Sequence, residues 1–263
     1  MSVATGKMLF DQTGHRKYHT GVSSLALFVM ATDSSDAKIP DAPSDAGITI
    51  TKSLYRVGVP WDGVTGITDS PSGGDETELW ADNIKYGSMR AAEKYGSTIE
   101  AYQYPEEFNE CNGAVIQNGI VVGQQTRRKF AYAYKSNVGN DQTTDAGEIL
   151  HLVWNTSTSP SEHSNNTVND SPDAGTFSFS CSSDSVAYTK SANAANLKPC
   201  CTMSIDTTTI TNGKNNANYK YLCDCIYGRD ADSTVEPAVA GIAPQMLSPD
   251  DVIAIMARAL PSG

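Results

Sequence analysis

Positive charge is scarce in this sequence: 19 Lys and Arg stand against 30 Asp and Glu, a formal net charge of −11, with a pI near 4.7. Affinity for nucleic acid comes largely from basic side chains that neutralise phosphates, so a surface that grips DNA tightly is disfavoured. The same balance suits a protein that lies beside DNA without holding it, and it serves solubility equally well. Cysteine is thin as well. Six cysteines at uneven spacings in 263 residues do not make a disulfide framework. The opening, MSVATGKMLFDQTGHRKYH, has no apolar core of a signal peptide, so a reducing cytoplasm is the expected compartment. The longest apolar run, residues 25–31, is far too short to span a bilayer and reads as a buried strand, so no membrane partner is expected.

Motifs for chemistry are also lacking. The chain has no phosphate-cradling Gly-rich loop ending in Lys-Ser/Thr, no G-x-S-x-G elbow and no H-E-x-x-H, so neither catalysis nor a cofactor is expected. Triads are recognised by geometry and not by order, which leaves the four histidines as the residues a hydrolase would use. His15 and His19 have helical metal-ligand spacing, but a third ligand nearby is missing. Cys200, Cys201, Cys223 and Cys225, with Cys181 upstream, are the most zinc-like set. Adjacent strand residues point to opposite faces, so Cys200 and Cys201 would not aim at one ion, whereas Cys223 and Cys225 would share a face. Small core thiols are the expectation, without a metal.

What the chain does contain is β patterning around a centre at residues 78–113. From 98 to 104, Ile99 and Ala101 alternate with Tyr102 and Tyr104, the period-2 mark of a strand. Pro105 stops that strand and suits the first turn of a helix, with Glu106 and Glu107 at its positive end. Phe108 and Cys111 then share a face, and Gly113 ends the turn. Before the centre, 1–22 reads as an N-terminal arm with a basic cluster, 23–32 as the first strand, 33–47 as a loop, 48–59 as a strand and 60–77 as a long polar loop anchored only by Trp61, Val64 and Ile67. After it, 119–123, 129–135, 148–154 and 176–182 read as strands, the second with Phe130, Tyr132 and Tyr134 alternating with alanines, the last with Phe177, Phe179 and Cys181 inward.

Arg127, Arg128 and Lys129 form the one notable basic run and read as a solvated face. Three Asn-x-Ser/Thr triplets, at Asn155, Asn165 and Asn169, fall in a Ser/Thr/Asn-rich loop and read as chance without a signal peptide. Residues 211–220, TNGKNNANYK, are sparse in apolar side chains. The C-terminal helix is well punctuated: Ser248 at the cap, Pro249 first, Asp250 and Asp251 in the first turn, and Val252, Ile255, Met256, Ala259 and Leu260 on one face. The expected organisation is therefore an arm (1–22), one β domain (23–247) and a C-terminal helix with tail (248–263), mainly β with long loops and one short internal helix.

The wording of several stretches resembles the major tail (tail tube) protein of long-tailed bacteriophages. The likeness runs through WDGVTGITDSPSGGDETELWADNIKY, STIEAYQYPEEFNECNG, IVVGQQTRRKF, VGND, EILHLVWNTSTSPSEHSNNTVNDSPDAGTFSFS, LKPCCTMSIDTT and LSPDDVIAIMARA, and so covers most of the chain. It departs from that pattern at Cys200, Cys201, Cys223 and Cys225 and in residues 211–220. The resemblance implies a β-sandwich or barrel of tail-tube type, six copies to a ring, rings stacked into a tube, and a lumen through which DNA passes without tight binding. It also implies assembly in the bacterial host cytoplasm, a final place in the virion tail, and tape measure, tail tip and terminator proteins as partners. On that reading the interfaces fall on the arm (His15, Arg16, Lys17), on the C-terminal helix (Val252, Ile255, Met256) and on the 60–77 loop, where Trp61, Val64 and Ile67 would dock on the adjacent ring. The lumen would be neutral or negative, with Arg127, Arg128 and Lys129 the residues to check. Two other classes compete: a secreted carbohydrate- or cell-binding β-sandwich, and a hydrolase. The inner tube of a contractile injection particle is a related alternative.

Overall fold

A computed structural model of the chain describes residues 13–43, 47–91, 93–161, 167, 174–188, 197–234 and 239–259, and they are mainly β. The middle strand is β10 (Phe130–Asn140). Its alternation decides the layering: Phe130, Tyr132 and Tyr134 enter one core, while Ala131 and Ala133 enter another on the opposite face. Antiparallel neighbours flank it, β1 (Lys17–Val29) on one side and β11 (Gly147–Thr158) on the other. The strand β11 is long enough to serve two partners. Its first half pairs with β13 (Thr202–Asp206), and its last three residues pair with β12 (Phe177–Ser183).

From β12 the ladder continues through β7 (Glu93–Ala101) to β3 (Val64–Asp69). At the other end of the sheet, β2 (Val59–Pro60) pairs with Ala26 and Leu27 of β1, and the Trp61 amide donates to the Leu25 carbonyl at 2.8 Å. Only residues 61–63 separate β2 from β3, so the two ends of the sheet are neighbouring pieces of one segment. The sheet thereby curls into an open barrel, with β3 packed beside β1 but joined to neither β1 nor β2 by a ladder.

Side chains fill the barrel: Leu25, Leu27, Ile99, Tyr132, Val153 and Phe179 are all buried there. The short helix α1 (Phe108–Cys111) plugs it. The Phe108 ring lies 4.5 Å from Trp61, 4.8 Å from Phe179 and 5.6 Å from Phe130, the tilted and edge-on geometries aromatic rings prefer. On the outer face, α2 (Ala217–Tyr227) and α3 (Pro249–Met256) cover the sheet, with Leu222, Ile226, Val252 and Ile255 against Leu150, Leu152 and Trp154. Both helices start on side-chain caps. Asn216 accepts from the amides of Asn218 and Tyr219, and Ser248 accepts from the amide of Asp251. The indole of Trp154 donates to the Leu247 carbonyl at 2.8 Å, tying the α3 entry to the sheet.

Several expectations change. Residues 17–22, read as part of an arm, form the first half of β1 and pair with β10; Lys17 opposes Asn140, and its Nζ bonds to Thr208 Oγ1 at 2.7 Å. Residues 1–12 lie outside the described region. The stretch 48–59 is irregular except for β2 and a Met30–Tyr55 bridge flanked by backbone bonds between residues 54 and 56 and the end of β1; Ile50 lies over the sheet without pairing in it. The supposed loop 60–77 is largely strand: β3, then β4 (Ser72–Gly73) against β7, then the start of β5 (Glu76–Ala81). Trp61 is only 2% exposed, inside its own subunit. A register shift between Val64 and Gly66 lets Val64 and Ile67, three apart, both pack on the barrel core.

The Asn-rich 211–220 stretch holds a short 3-10 turn and the capped start of α2. Because α2 is helical, Cys223 and Cys225 are separated by roughly 200° and do not share a face; Cys225 is fully buried, Cys223 partly so. The C-terminal helix packs on its own domain, with Val252 2% and Ile255 0% exposed and Met256 partly buried, while Leu260 lies outside the described residues. His19 belongs to an extended strand, which removes the helical spacing from His15. Asn155 sits within β11, its amide bonded to the Tyr55 hydroxyl, and Asn165 and Asn169 fall outside the described residues.

If α1 is the plug of the barrel, Phe108→Ala leaves a cavity among four aromatic rings and should cost about 3–5 kcal/mol. Urea unfolding followed by tryptophan fluorescence measures this directly, and a loss well under 1 kcal/mol would remove α1 from the core.

Candidate functional site

Beyond the barrel the two chain segments of the β3/β7 ladder run on side by side. After the short β4–β7 pairing they lead into a separate two-stranded ribbon, β5 and β6 (Ile84–Arg90), closed by Asp82 and Asn83. Both turn residues have positive φ, 51° and 61°, as a two-residue hairpin with the right twist requires. At about 3.4 Å per residue the free part extends roughly 24 Å. Pairing sets its faces. Glu78 and Lys85 lie on one side and form an ion pair at 2.7 Å, with Glu76 and Arg90 on the same side. Leu79 and Met89 occupy the opposite side, with Ile84 further along it. Leu79, Trp80, Ile84, Tyr86 and Met89 are all 40% or more exposed.

A second hairpin, β8 (Val115–Gln117) and β9 (Ile120–Val122), turns on Asn118 and Gly119, again both with positive φ. It exposes Val115, Ile116, Ile120, Val121 and Val122. Its base is fixed by the Ala114 amide donating to Asn109, the Gln125 amide donating to Gly113, and the Arg128 amide donating to Glu110. Beside it lies a groove of about 760 Å³, lined in part by Met30, Ala31, Ala114, Val115 and Ile116, with Glu106 and Glu107 also on its wall. Short two-stranded hairpins are marginal in water, and contiguous exposed apolar side chains mark contact surfaces.

The basic run is committed within the chain. Arg127 donates to Thr158 O and Oγ1, each at 3.2 Å; Arg128 pairs with Glu110 at 2.9 Å and bonds Thr32; Lys129 pairs with Asp184 at 2.6 Å. Arg56 adds a bridge between Asp36 at 2.8 Å and Glu110 at 3.2 Å. Of the residues proposed from sequence as contacts, Trp61, Val252 and Ile255 are buried in their own subunit, and Val64, Ile67 and Met256 pack against its cores. The exposed hairpin residues were missed. Their signals were the Asp-Asn and Asn-Gly pairs flanked by apolar residues.

Polar chemistry gathers at one end of the barrel face. Ser136 Oγ and His151 Nε2 are 2.9 Å apart, and the imidazole stacks on Tyr134 at 4.4 Å. Asp69 acts on this imidazole through its charge and accepts a hydrogen bond from Tyr95 at 2.5 Å. Burial pushes the thiols of Cys111 and Cys181 up to about 12, as befits inert core residues. Among the described residues no three His, Cys, Asp or Glu side chains converge to hold an ion, and no helix is long and apolar enough to cross a membrane.

No protein-family model matches the chain, and no curated protein matches it significantly.

His151 gives a pH test. Burial lowers its pKa below the ordinary 6.5, opposed by the negative charge of Asp69 and reinforced by His19. Between the lowered value and 6.5 the unfolded chain binds more protons, so this group's effect is nil above that window and destabilising as the pH falls through it. The melting temperature should therefore drop from about pH 7.5 to about pH 5.5, and drop less in His151→Gln. Equal losses in both proteins would show that the imidazole is not responsible.

Proposed function

We propose that this protein is a structural virion subunit, the major tail (tail tube) protein of a long-tailed bacteriophage. Copies form hexameric rings, and the rings stack into the conduit for genome ejection. The observation that carries the reading is the β5–β6 ribbon, which extends about 24 Å from a filled barrel with five large apolar side chains in water. A barrel packed on both faces by its own chain has little left to bury, so surface this apolar requires a partner. Repetition of one contact between identical subunits is the mechanism of a tube, and it needs no catalysis.

The sequence likeness supports the same assignment and supplies the tail-tube form of the fold. Net charge of −11 and internal pairing of Arg127, Arg128 and Lys129 suit a wall along which DNA slides, since each free cation would add to retention by counterion release. Assembly takes place in the host cytoplasm and the product resides in the virion tail. Tape measure, tail tip and terminator proteins meet the tube at its axis and ends.

The ribbon replaces the 60–77 segment as the reaching element. Purified protein at high concentration should form rings and hollow tubes in negative-stain microscopy, and monodisperse monomers under all conditions would overturn the reading. Replacing residues 76–90 by a short Gly-Ser turn should leave the melting transition nearly unchanged and abolish long tubes.

A further inference from the structure

The large apolar side chains exposed on the described residues are concentrated in two places. Five sit on the β5–β6 ribbon and five on the β8–β9 hairpin, whereas Tyr18, Leu54, Val57, Tyr102 and Leu197 are scattered. Among the described residues neither hairpin packs extensively on the other, and both apolar sets stay exposed. We propose that the β5–β6 ribbon of one copy seats on the β8–β9 hairpin and its groove in a second copy. This rests on the assembly reading above and names the surface that receives the ribbon.

Three observations select this pairing over ribbon against ribbon. First, a self-paired ribbon would leave Val115, Ile116, Ile120, Val121 and Val122 in water, whereas the mixed contact buries both apolar sets at once. Second, charge matches across it. Glu106 and Glu107 are exposed at the groove and form no ion pair among the described residues; of the cations on the same wall, Arg128 and Lys129 are already paired with Glu110 and Asp184 and Lys38 stands beside them, while Arg90 on the ribbon is 77% exposed and holds only a long pair, 3.7 Å, with Glu76. In a protein of net charge −11, a contact between copies needs such local complementarity to offset general repulsion. Third, both elements are two-stranded with free edges. One can therefore extend the other by strand addition, in which backbone amides and carbonyls left open on each edge pair across the contact. The groove, about 760 Å³ with apolar Met30, Ala31, Val115 and Ile116 on its wall, has room for ribbon side chains such as Tyr86 and Met89. Because donor and receiver are different patches, the contact is head-to-tail and propagates without closing on a dimer.

Complementation tests this. One variant carries Tyr86→Asp and Met89→Asp, which spoils the ribbon; the other carries Ile120→Asp, which spoils the hairpin. These side chains are 77%, 62% and 66% exposed, so both variants should keep the wild-type melting transition. Each alone should stop short of tubes. A 1:1 mixture should form a species of twice the mass that either variant forms alone, because one intact ribbon then meets one intact hairpin and growth ends there. Mass photometry or light scattering reads that doubling. If the ribbon variant fails while the hairpin variant still forms tubes, or if both form tubes, the ribbon docks elsewhere and the inference is overturned while the tube reading stands. If each fails and the mixture shows no doubling, the two patches do not meet each other. If wild-type protein never assembles, both readings fall together.

Discussion

A single strand buried on both faces holds this fold in place. The chain β10 must fill a barrel on one side and leave room for helices on the other, and its sequence does both by alternating rings with alanines: Phe130, Tyr132 and Tyr134 inward, Ala131 and Ala133 outward. The rings supply the area that holds Leu25, Leu27, Ile99 and Phe179 together. The alanines let α2 and α3 approach closely enough for Leu222 and Ile255 to reach the sheet. A one-residue slip would exchange the two sets and destroy both cores at once, so the register with β1 and β11 is tightly specified.

Curling of the sheet into a barrel has a consequence for the surface. Once Trp61 is drawn inside, with its indole donating to the Gln103 carbonyl at 2.8 Å, the segment around it serves as the seam between β2 and β3 and cannot reach a neighbour. The reaching role passes to the continuation of the β3 and β7 segments, where β5 and β6 leave the barrel and no longer have a core beneath them. Rigid support and exposed contact surface thus come from the same two stretches of chain, paired in successive short ladders. That arrangement aims the ribbon by strand pairing and not by loop conformation.

Ionic groups reinforce this division. Glu148 shows how. Burial alone would raise its pKa, but hydrogen bonds from Tyr219 at 2.6 Å and Lys135 at 2.9 Å outweigh that and hold it below the ordinary carboxylate value. The trio clamps α2 to β10 and β11. Similar pairs at Arg56, Arg128 and Lys129 tie α1 and the 127–129 segment to the barrel. Many of the few cations in the chain are thus spent on its own architecture, and what the surface offers to a partner is mostly apolar or acidic.

Much was legible from the sequence alone because it depended on near neighbours. Ile99 and Ala101 on one strand face, the Pro105 stop, Phe108 and Cys111 on one helical face, the inward Phe177–Phe179–Cys181 alternation and the Ser248 cap all follow from periodicity and local backbone chemistry. Only the tertiary structure decided where those faces point. Trp61 and Val252 are apolar side chains whose neighbours in the sequence would allow a core or an interface; long-range pairing of β2 with β1 and packing of α3 on the sheet placed them inside. Lys17 and His19 became strand because β10 lay alongside to pair with them. The ribbon, with charged residues on one side and apolar ones on the other, has the alternation of a half-buried strand, and its turn residues mark a hairpin without saying whether anything covers its apolar side. Exposure is a property of what remains uncovered after all the other elements have packed, and that sum is made only in three dimensions.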